Sequence, residues 1–301
     1  MRILFVTSNR IGDAVLSTGL LAHLLQAYPD ARFTIACGPV AEALFARMPR
    51  RDRTIVMEKR RHGRHWLPLW AGTVGTLWDL VVDIRASAIS YLIPTRRRAV
   101  MRKSPGHKTV QLARLLRLDP PPLPVTWTDA ADRLLADRLL PDGPPIVALG
   151  PTANWTGKLW PAQNFAEAFT RLQAILPGAR AAVFAGPGAQ EAALAAPLLA
   201  ALPGAIDLVG RLSLPEAAAC LARCVLFIGN DSGLMHLAAA AGIPTLGLFG
   251  PTPAAEYAPS GLRAAPVVSP TRRMEDLSVD SVLAAARALL HETGTVQSNA
   301  T

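Results

Sequence analysis

The sequence predicts an α/β protein built from two successive doubly wound domains, each with a parallel sheet covered by helices on both faces. Three observations lead to this fold class. Short apolar runs lack the alternation of half-buried strands, helical patterns separate them, and the whole pattern starts again after proline-rich breaks. The chain of 301 residues is long enough for two domains, and 50% of its residues are hydrophobic, which excludes disordered and fibrous classes.

The predicted strands are short apolar runs that end at polar, glycine or proline residues. They are Ile3–Thr7, Phe33–Ala36, Leu80–Asp83, Ile146–Leu149, Ala181–Ala185, Val225–Ile228 and Thr245–Phe249. Segments with the helical spacing of apolar residues lie between many of them: Ala14–Ala27, Asn164–Leu176, Glu191–Ala201, Pro215–Arg223 and Leu234–Ala241. This alternation is typical of parallel strands joined by crossover helices.

Two proline-rich segments, at 119–124 and 141–145, predict the joint between the domains. The second segment directly precedes the apolar run at 146–149, where the strand pattern starts again. We therefore expect an N-terminal domain over residues 1–140, a C-terminal domain over 141–292 and a loose polar tail over 293–301.

Charge is divided unevenly between the two halves. Residues 1–140 hold 22 Lys and Arg against 11 Asp and Glu, whereas residues 141–301 hold 9 against 11. The first half is therefore suited to an acidic partner, and the second is not. Charge alone leaves nucleic acid, anionic lipid and a phosphorylated metabolite open as that partner.

The cysteines Cys37, Cys220 and Cys224 have neither a disulfide framework nor a zinc-site spacing. We expect them to be buried thiols in a reducing compartment. The apolar start of the chain is too short for a secretory signal, and the longest stretch without charged residues is broken by glycines and prolines. These features predict a cytoplasmic protein with no transmembrane segment.

Ligands of doubly wound domains bind at the carboxyl ends of the strands, so the strand-to-helix loops carry most of the functional information. The first loop, at 7–13, lacks the G-x-G-x-x-G spacing of dinucleotide sites, which argues against NAD or FAD. It places Asp13 beside a glycine at a helix start. Asp13 is either the N-cap of that helix or a functional carboxylate.

The loop at 150–161 carries Lys158, the only lysine in residues 141–301. Its surroundings of glycine and threonine before a helix start suit a phosphate group. The loop is not a P-loop, because Leu159 stands where that motif requires Ser or Thr. The alternative is an ordinary surface lysine.

The loop that follows the run at 225–228 is the most specific of the three. It places Asp231, Ser232 and Gly233 before an alanine-rich helix whose first turn contains His236. Free backbone N–H groups and the positive helix end predict an anion site there. The alternative is a helix cap formed by Asp231 or Ser232, with His236 as a surface residue.

Arginine-rich runs at 47–64 and 96–103 account for most of the positive charge of the first half. They predict either solvated faces or a surface for an acidic partner. The low aromatic content of 6%, not interleaved with these runs, argues against a nucleic-acid-binding protein. No D-x-D triplet is present, which argues against a metal-clamped diphosphate site.

Taken together, these segments resemble the ADP-heptose–lipopolysaccharide heptosyltransferases, inverting glycosyltransferases of the GT-B fold, over nearly the whole chain. The resemblance rests on three groups of segments: Ile3–Val6 with Ile11–Leu16, Lys158–Pro161 with Asn164–Ala166, and Asn230–His236 with Leu248–Thr252. It implies two Rossmann-like domains facing a central cleft. The N-terminal domain would bind the acceptor and the C-terminal domain the nucleotide sugar.

Carried over position by position, the resemblance implies that Asp13 is the catalytic base. It implies that one set of residues binds the donor ADP-heptose: Lys158 on the phosphates, Asp231, Ser232, Gly233 and His236 around the diphosphate and sugar, and Leu212 on the adenine. The ribose would be held by an acidic residue near the glycine turn at 186–188, where either Gln190 or Glu191 matches and Glu191 is preferred. The reaction would need no metal and no further cofactor.

For the acceptor we expect an acidic glycolipid, the inner core of lipid A with Kdo or heptose, at the inner membrane surface. Arg60, Arg61 and Arg64 are the residues we expect to bind it. The protein would then be cytoplasmic or peripheral at the cytoplasmic face of that membrane. The alternatives are a related GT-B transferase with another nucleotide sugar or acceptor, a catalytically silent scaffold and a basic nucleic-acid-binding protein.

Overall fold

Two units with separate parallel sheets make up the computed structural model, which describes residues 1–58 and 66–297, with side chains to residue 291. The units are Met1–Trp127 and Thr128–Thr301. Arg60, Arg61 and Arg64, the expected acceptor residues, lie outside the described residues. Within the described residues, no helix combines the length and apolarity that a membrane crossing requires.

The first unit is built on a five-stranded parallel sheet. Its strands are β1 (Arg2–Val6), β2 (Arg32–Cys37), β3 (Arg51–Val56), β4 (Leu80–Asp83) and β5 (Arg98–Val100), in the spatial order β3-β2-β1-β4-β5. Its helices are α1 (Ile11–Ala27), α2 (Trp66–Thr73) and α3 (Lys108–Ala113), with 3-10 turns at Pro39–Phe45, Ala88–Tyr91 and Arg114–Leu116. Strands β2 and β3 follow on one side of β1, and β4 and β5 lie on its other side. The strand order therefore reverses between β1 and β4, and the connections that leave these two strands run in opposite directions.

Helix α1 is crossed closely by the segment that leads out of the first unit. A Cβ on Gly19 would lie 2.5 Å from the carbonyl oxygen of Pro122 and 2.8 Å from that of Leu123. The hydroxyl of Thr18 accepts a hydrogen bond of 2.8 Å from the backbone N–H of Val125. Glycine therefore stands in mid-helix because no side chain fits under this segment.

The second unit is built on a six-stranded parallel sheet. Its strands are β6 (Ile146–Gly150), β7 (Arg180–Val183), β8 (Ile206–Asp207), β9 (Leu226–Asn230), β10 (Thr245–Phe249) and β11 (Ala264–Val268), in the spatial order β11-β10-β9-β6-β7-β8. Its helices are α4 (Ala130–Leu139), α5 (Ala162–Leu172), α6 (Ala189–Ala201), α7 (Leu214–Leu221), α8 (Gly233–Ala240), α9 (Ala254–Tyr257) and α10 (Val279–Gln297). Here the strand order reverses between β6 and β9, because β7 and β8 lie on one side of β6 and β9, β10 and β11 lie on the other.

The core of the second unit explains why its central strands are continuous apolar runs. Strands β6, β9 and β10 bury every residue, and α5 and α10 pack on one face of the sheet. Trp160 anchors this layer: its ring meets Phe165 edge-on at 4.9 Å between centroids, and its indole N–H donates to the carbonyl of Leu277 at 2.8 Å. A buried indole with a satisfied N–H fixes the start of α5 on the sheet.

All seven predicted strands and all five predicted helices are present. The strands Leu80–Asp83 and Thr245–Phe249 have the predicted boundaries, and the boundaries of the other elements are shifted by one to four residues. The predicted helix at 164–176 is the least accurate, because α5 begins at Ala162 and ends at Leu172. Four strands were not predicted, namely β3, β5, β8 and β11. The arginine-rich runs were interpreted only as charged surface, yet β3 and β5 lie within them and form both edges of the first sheet.

The joint between the units falls inside the proline-bounded interval. Helix α4, which we placed in the N-terminal domain, packs against α7 of the second unit. Arg223 holds the C-terminal end of α4 and the residues after it, because its guanidinium donates to the carbonyl of Leu140 at 2.6 Å and pairs with Asp137 and Asp142, each at 2.5 Å. At the other end of the unit, α10 runs to Gln297, so residues 293–297 of the expected tail are helical.

Candidate functional site

In the second unit, the loops after β6 and β9 meet at the point where the strand succession reverses. Lys158 comes from the first loop and Asp231 directly follows the second strand. The Nζ of Lys158 lies 2.6 Å from Oδ2 of Asp231, and the two side chains are only 17% and 8% exposed. The carboxyl edge at such a reversal is where open α/β sheets bind ligands. The structure therefore brings together two residues that are 73 positions apart in the chain.

This ion pair fixes the position of the ammonium group. A lysine ammonium carries three N–H donors, and the Asp231 carboxylate occupies one direction. Lys158 itself stands at the end of a 3-10 turn, Thr156–Lys158, which defines the backbone position from which the side chain extends. The arrangement presents a half-buried cation whose remaining donors suit phosphate oxygens.

Asn230, which the sequence analysis did not single out, holds the Lys158 loop in place. Its side chain is fully buried, accepts a hydrogen bond of 3.0 Å from the N–H of Trp160, and donates one of 2.7 Å to the carbonyl of Pro151. One side chain thus ties both ends of the loop to the end of β9. An asparagine between glycine and aspartate is typical of a turn, so its sequence context concealed this positioning role.

Helix α8 begins directly beside the ion pair. Ser232 occupies the N-cap position with extended backbone angles, but its side chain makes no capping hydrogen bond. Its hydroxyl oxygen is buried and has no hydrogen-bond partner within the part of the chain that the structure describes. Gly233 is the first helical residue, and His236 lies buried in the first turn.

The capping alternative for this loop is therefore wrong. Asp231 pairs with Lys158, and Ser232 does not bond the helix backbone. A buried hydroxyl without a partner costs about 1–3 kcal/mol unless a ligand satisfies it. Together with the free N–H groups and positive dipole of the α8 N-terminus, this hydroxyl favours an anion site.

The two remaining donor candidates, Glu191 and Leu212, follow strands β7 and β8. Oε2 of Glu191, in the first turn of α6, accepts a hydrogen bond of 3.1 Å from the N–H of Gly186, whereas the neighbouring Gln190 is exposed. Gly210 has a positive φ of 67°, and a Cβ there would lie 3.4 Å from Cα of Pro187. The two loops therefore touch, and half-buried Leu212 follows this contact by two residues.

In the first unit, Asp13 is not the N-cap of α1, because the helix begins at Ile11 and Arg10 holds the cap position. Asp13 is the third helical residue and is half-buried. The hydroxyl of Ser8 donates to Oδ2 of Asp13 at 3.3 Å and itself accepts from the N–H of Arg10 at 3.1 Å. This chain of bonds orients the carboxylate above the carboxyl end of β1.

Arg85 is a second residue that the sequence analysis missed. It follows β4, the strand across the reversal from β1, and its Nη1 donates to the side-chain oxygen of Asn9 at 3.0 Å. Its guanidinium lies 4.8 Å from the ring centre of Trp66, and burial lowers its pKa below the ordinary value. The buried carboxylate of Asp83 accepts the backbone N–H groups of Arg85 and Ser87, each at 2.8 Å, which shapes the turn.

Arg85 and Asp13 thus belong to loops that meet at the same edge of the first sheet. A guanidinium that Asn9 holds through one hydrogen bond, on a loop that meets the loop of a half-buried carboxylate, suits a substrate that carries both a hydroxyl and a negative charge. Over the described residues, no group of three or more His, Cys, Asp or Glu is arranged to hold a metal ion.

Comparison with known proteins gives a family for this chain. The sequence profile of glycosyltransferase family 9 (heptosyltransferase) matches residues 90–286. The chain is 25% identical over 297 residues to the lipopolysaccharide heptosyltransferase 2 of Salmonella typhimurium, an alignment that covers 84% of this chain and 83% of that protein.

Solved structures show the same fold. The chain superposes on a family 9 glycosyl transferase from Veillonella parvula with a TM-score of 0.81 at 22% identity, covering 97% of both chains. It superposes on the ADP-heptose lps heptosyltransferase II of E. coli with a TM-score of 0.75 at 22% identity, covering 98% of this chain and 100% of that one. The two sheets are therefore those of the GT-B fold, and because the profile spans more than half of the chain, this protein belongs to glycosyltransferase family 9, the heptosyltransferases.

Proposed function

We propose that the protein transfers a heptose from ADP-heptose to the acidic inner core of lipopolysaccharide, with inversion and without a metal ion. The observation that carries the proposal is the Lys158–Asp231 pair beside the unsatisfied Ser232 hydroxyl at the start of α8. This arrangement suits a sugar diphosphate. Membership of family 9, the heptosyltransferases, supports heptose as the sugar. The E. coli protein of the same fold is named for ADP-heptose.

The second unit would stabilise the leaving group. As the bond between the anomeric carbon and the diphosphate breaks, negative charge grows on the departing phosphate oxygen. The Lys158 ammonium, the α8 N-terminus and His236 would offset that charge without reorganising. Leu212 would pack on the adenine, and the second oxygen of Glu191 would accept a ribose hydroxyl.

The first unit would activate the acceptor. Asp13 would accept the proton of the attacking sugar hydroxyl while the oxygen bonds to the anomeric carbon on the face opposite the diphosphate. One C–O bond forms, one breaks, the proton ends on Asp13 and the electron pair on ADP. Ser8 would orient the carboxylate through the hydrogen bond that it donates.

The acceptor's negative groups would contact Arg85 together with Arg60, Arg61 and Arg64. Among these, Arg85 is supported by geometry, because Asn9 and the Trp66 ring hold its guanidinium beside the Asp13 loop. An acceptor with Kdo carboxylates or lipid A phosphates matches a planar cation that can bind two oxygens at once.

A panel of nucleotide sugars in a thermal unfolding assay tests the donor. We expect ADP-heptose, and more weakly ADP and ADP-glucose, to raise the melting temperature, because only the folded state binds them. UDP-sugars serve as the control and should give no shift. Stabilisation by a UDP-sugar without stabilisation by ADP-sugars would contradict the donor and favour the second candidate, a GT-B transferase for another nucleotide sugar.

A further inference from the structure

Four large apolar side chains of the first unit are exposed to solvent in two neighbouring segments. Leu67 and Trp70 of α2 are 60% and 40% exposed, and Tyr91 and Leu92, at the end of the 3-10 turn Ala88–Tyr91, are 62% and 61% exposed. The indole N–H of Trp70 donates to the carbonyl of Leu92 at 3.2 Å, which joins the two segments into one patch. We refer to these four residues as the apolar patch.

The core of the unit does not require this patch. Leu69 of α2 and Ile89 of the 3-10 turn point inward and pack in one buried cluster with Trp78 and Val81. Leu67 and Trp70 are three residues apart and therefore share the other side of the short helix. Exposed apolar patches of this kind mark interaction surfaces more often than isolated apolar residues do.

Arginines bind directly to the segments that carry the patch. The guanidinium of Arg98 lies 5.2 Å from the ring centre of Tyr91, and its Nε donates to the carbonyl of Ser90 at 2.6 Å. On α2, the guanidinium of Arg53 donates to the carbonyl of Gly72. Residues 47–58 and 66–103, the described part of this region, include both segments and hold 10 Lys and Arg against 4 Asp and Glu. An apolar surface bordered by positive charge is complementary to an anionic, amphipathic surface.

We propose that the apolar patch docks the first unit on an anionic lipid bilayer. Trp70 and Tyr91 would lie at the headgroup level, where aromatic side chains with a polar atom are favoured. Leu67 and Leu92 would enter the boundary with the acyl chains, and the arginines would meet lipid phosphates. The inference deepens the proposed function, because a glycolipid acceptor has to be reached at a bilayer.

The patch is also continuous with the acceptor side of the candidate site. Trp66, the first residue of α2, is the ring on which Arg85 stacks. The helix that would dock on the bilayer therefore begins at the cation that would bind the acceptor. Docking there would place the headgroup region next to Arg85.

Vesicle flotation tests the docking without donor or acceptor. The probe is phosphatidylcholine vesicles with and without phosphatidylglycerol, at low and high salt. We expect the wild-type protein to float with the anionic vesicles at low salt, and the triple variant Leu67→Ser, Tyr91→Ser, Leu92→Ser to lose about tenfold or more in partitioning. Trp70 is retained in this variant because its indole links the two segments.

The matched control is Leu262→Ser in the second unit, which removes a leucine that is even more exposed than those of the patch and should float like the wild type. Circular dichroism and thermal melting should show that the triple variant is folded. Flotation of the triple variant equal to that of the wild type, or no flotation of the wild type, would overturn the proposal. A wild-type dimer that the triple variant dissociates would also overturn it, because a second copy would then cover the patch.

Transfer to a deacylated, lipid-free acceptor separates this inference from the proposed function. We expect the triple variant to retain the wild-type rate on that acceptor, because none of the three residues belongs to the candidate site. A lower rate there would show that the substitutions act on catalysis and would contradict a docking role. If the wild type shows no transfer at all, the proposed function fails while the flotation result stands by itself.

Discussion

Lys158 and Asp231 show which part of the candidate site can be predicted from single residues and which part depends on the fold. Each could be identified from its own loop as a donor-site candidate, because a lone lysine and a Gly-Asn-Asp-Ser-Gly turn are unusual. Their pairing could not be predicted, since it depends on β6 and β9 being neighbours in the sheet. Asn230 and Arg85 escaped detection because their roles arise only from contacts with distant loops.

Replacement of Lys158 by methionine keeps the length of the side chain and removes its charge. We expect the dissociation constant for ADP, measured by calorimetry, to rise about tenfold or more, because a hydrogen bond to a charged group contributes about 1.5–3 kcal/mol. The protein should also lose stability, since the carboxylate of Asp231 remains nearly buried without its partner.

The double variant Lys158→Met, Asp231→Asn separates these two effects. It should recover much of the stability, because no unpaired charge stays buried, without recovering the affinity for ADP. An unchanged affinity for ADP in the single variant would remove Lys158 from the donor site.

Replacement of Asp13 by asparagine removes the proposed base and keeps the shape of the side chain. We expect the turnover rate to fall at least ~100-fold, as for loss of general base catalysis. Binding of ADP should not change, because the proposed donor contacts lie in the second unit. Ser8→Ala should reduce the rate less, since it removes only the hydrogen bond that orients the carboxylate. Wild-type turnover in Asp13→Asn would show that another group takes the proton.

Replacement of Arg85 by glutamine tests the acceptor side. We expect KM for the acceptor to rise about tenfold or more, the size typical of a lost charged hydrogen bond, with little change in ADP affinity. Arg102→Gln removes an equal charge from an exposed position of the same unit and is the control. Equal effects of the two substitutions would mean that net charge, rather than the held guanidinium, attracts the acceptor.

The three cysteines are buried, as expected from the sequence. Burial raises the pKa of Cys37, Cys220 and Cys224 to about 12, against an ordinary value of 9.0. A raised pKa means that the folded state keeps the thiols protonated, so their contribution to stability is complete below pH 9 and is lost as the pH rises toward 12. Iodoacetamide at pH 8 should leave the native protein unmodified and label all three thiols in denaturant. Rapid labelling of the native protein would contradict this.

At the scale of elements, buried strands could be predicted from the sequence, whereas strands at the sheet edges could not. Strands β1, β4, β6 and β10 are central or fully covered, so their apolar runs are continuous and easily recognised. Strands β3 and β5 lie at the sheet edges and contain arginines, which hide their strand character. Charged residues on an edge strand hinder pairing with another chain, so the same arginines that obscured the strands protect the sheet.

Helix α1 supplies an element-level prediction. Gly19→Ala should destabilise the protein by about 1–3 kcal/mol although alanine is the better helix former, because its Cβ would meet the Pro122 and Leu123 carbonyls. Gly72→Ala in α2 is the matched control, since its Cβ would meet only a side-chain atom at 3.8 Å. That control should be neutral or stabilising by up to ~1 kcal/mol in denaturant unfolding. Equal effects at the two positions would contradict the close crossing of α1.

At the scale of the whole molecule, the division of charge between the two units agrees with the proposed division of labour, in which one unit binds the donor and the other the acceptor. The second unit, with slightly more acidic than basic residues, offers a single lysine and a helix end, which is sufficient for one diphosphate. The first unit carries the excess of arginine, including Arg85 and the arginines bound to the apolar patch. Composition alone left three acidic partners open. The proposed function selects a glycolipid among them.

Mass spectrometry of truncated-core lipopolysaccharide, incubated with the protein and ADP-heptose in the presence of a metal chelator, tests the central claim most directly. We predict that the acceptor gains the mass of one heptosyl residue, that ADP is released in equal amount, and that Asp13→Asn abolishes the gain. An unchanged acceptor with intact donor, under conditions in which ADP-heptose stabilises the fold, would contradict transfer to this core.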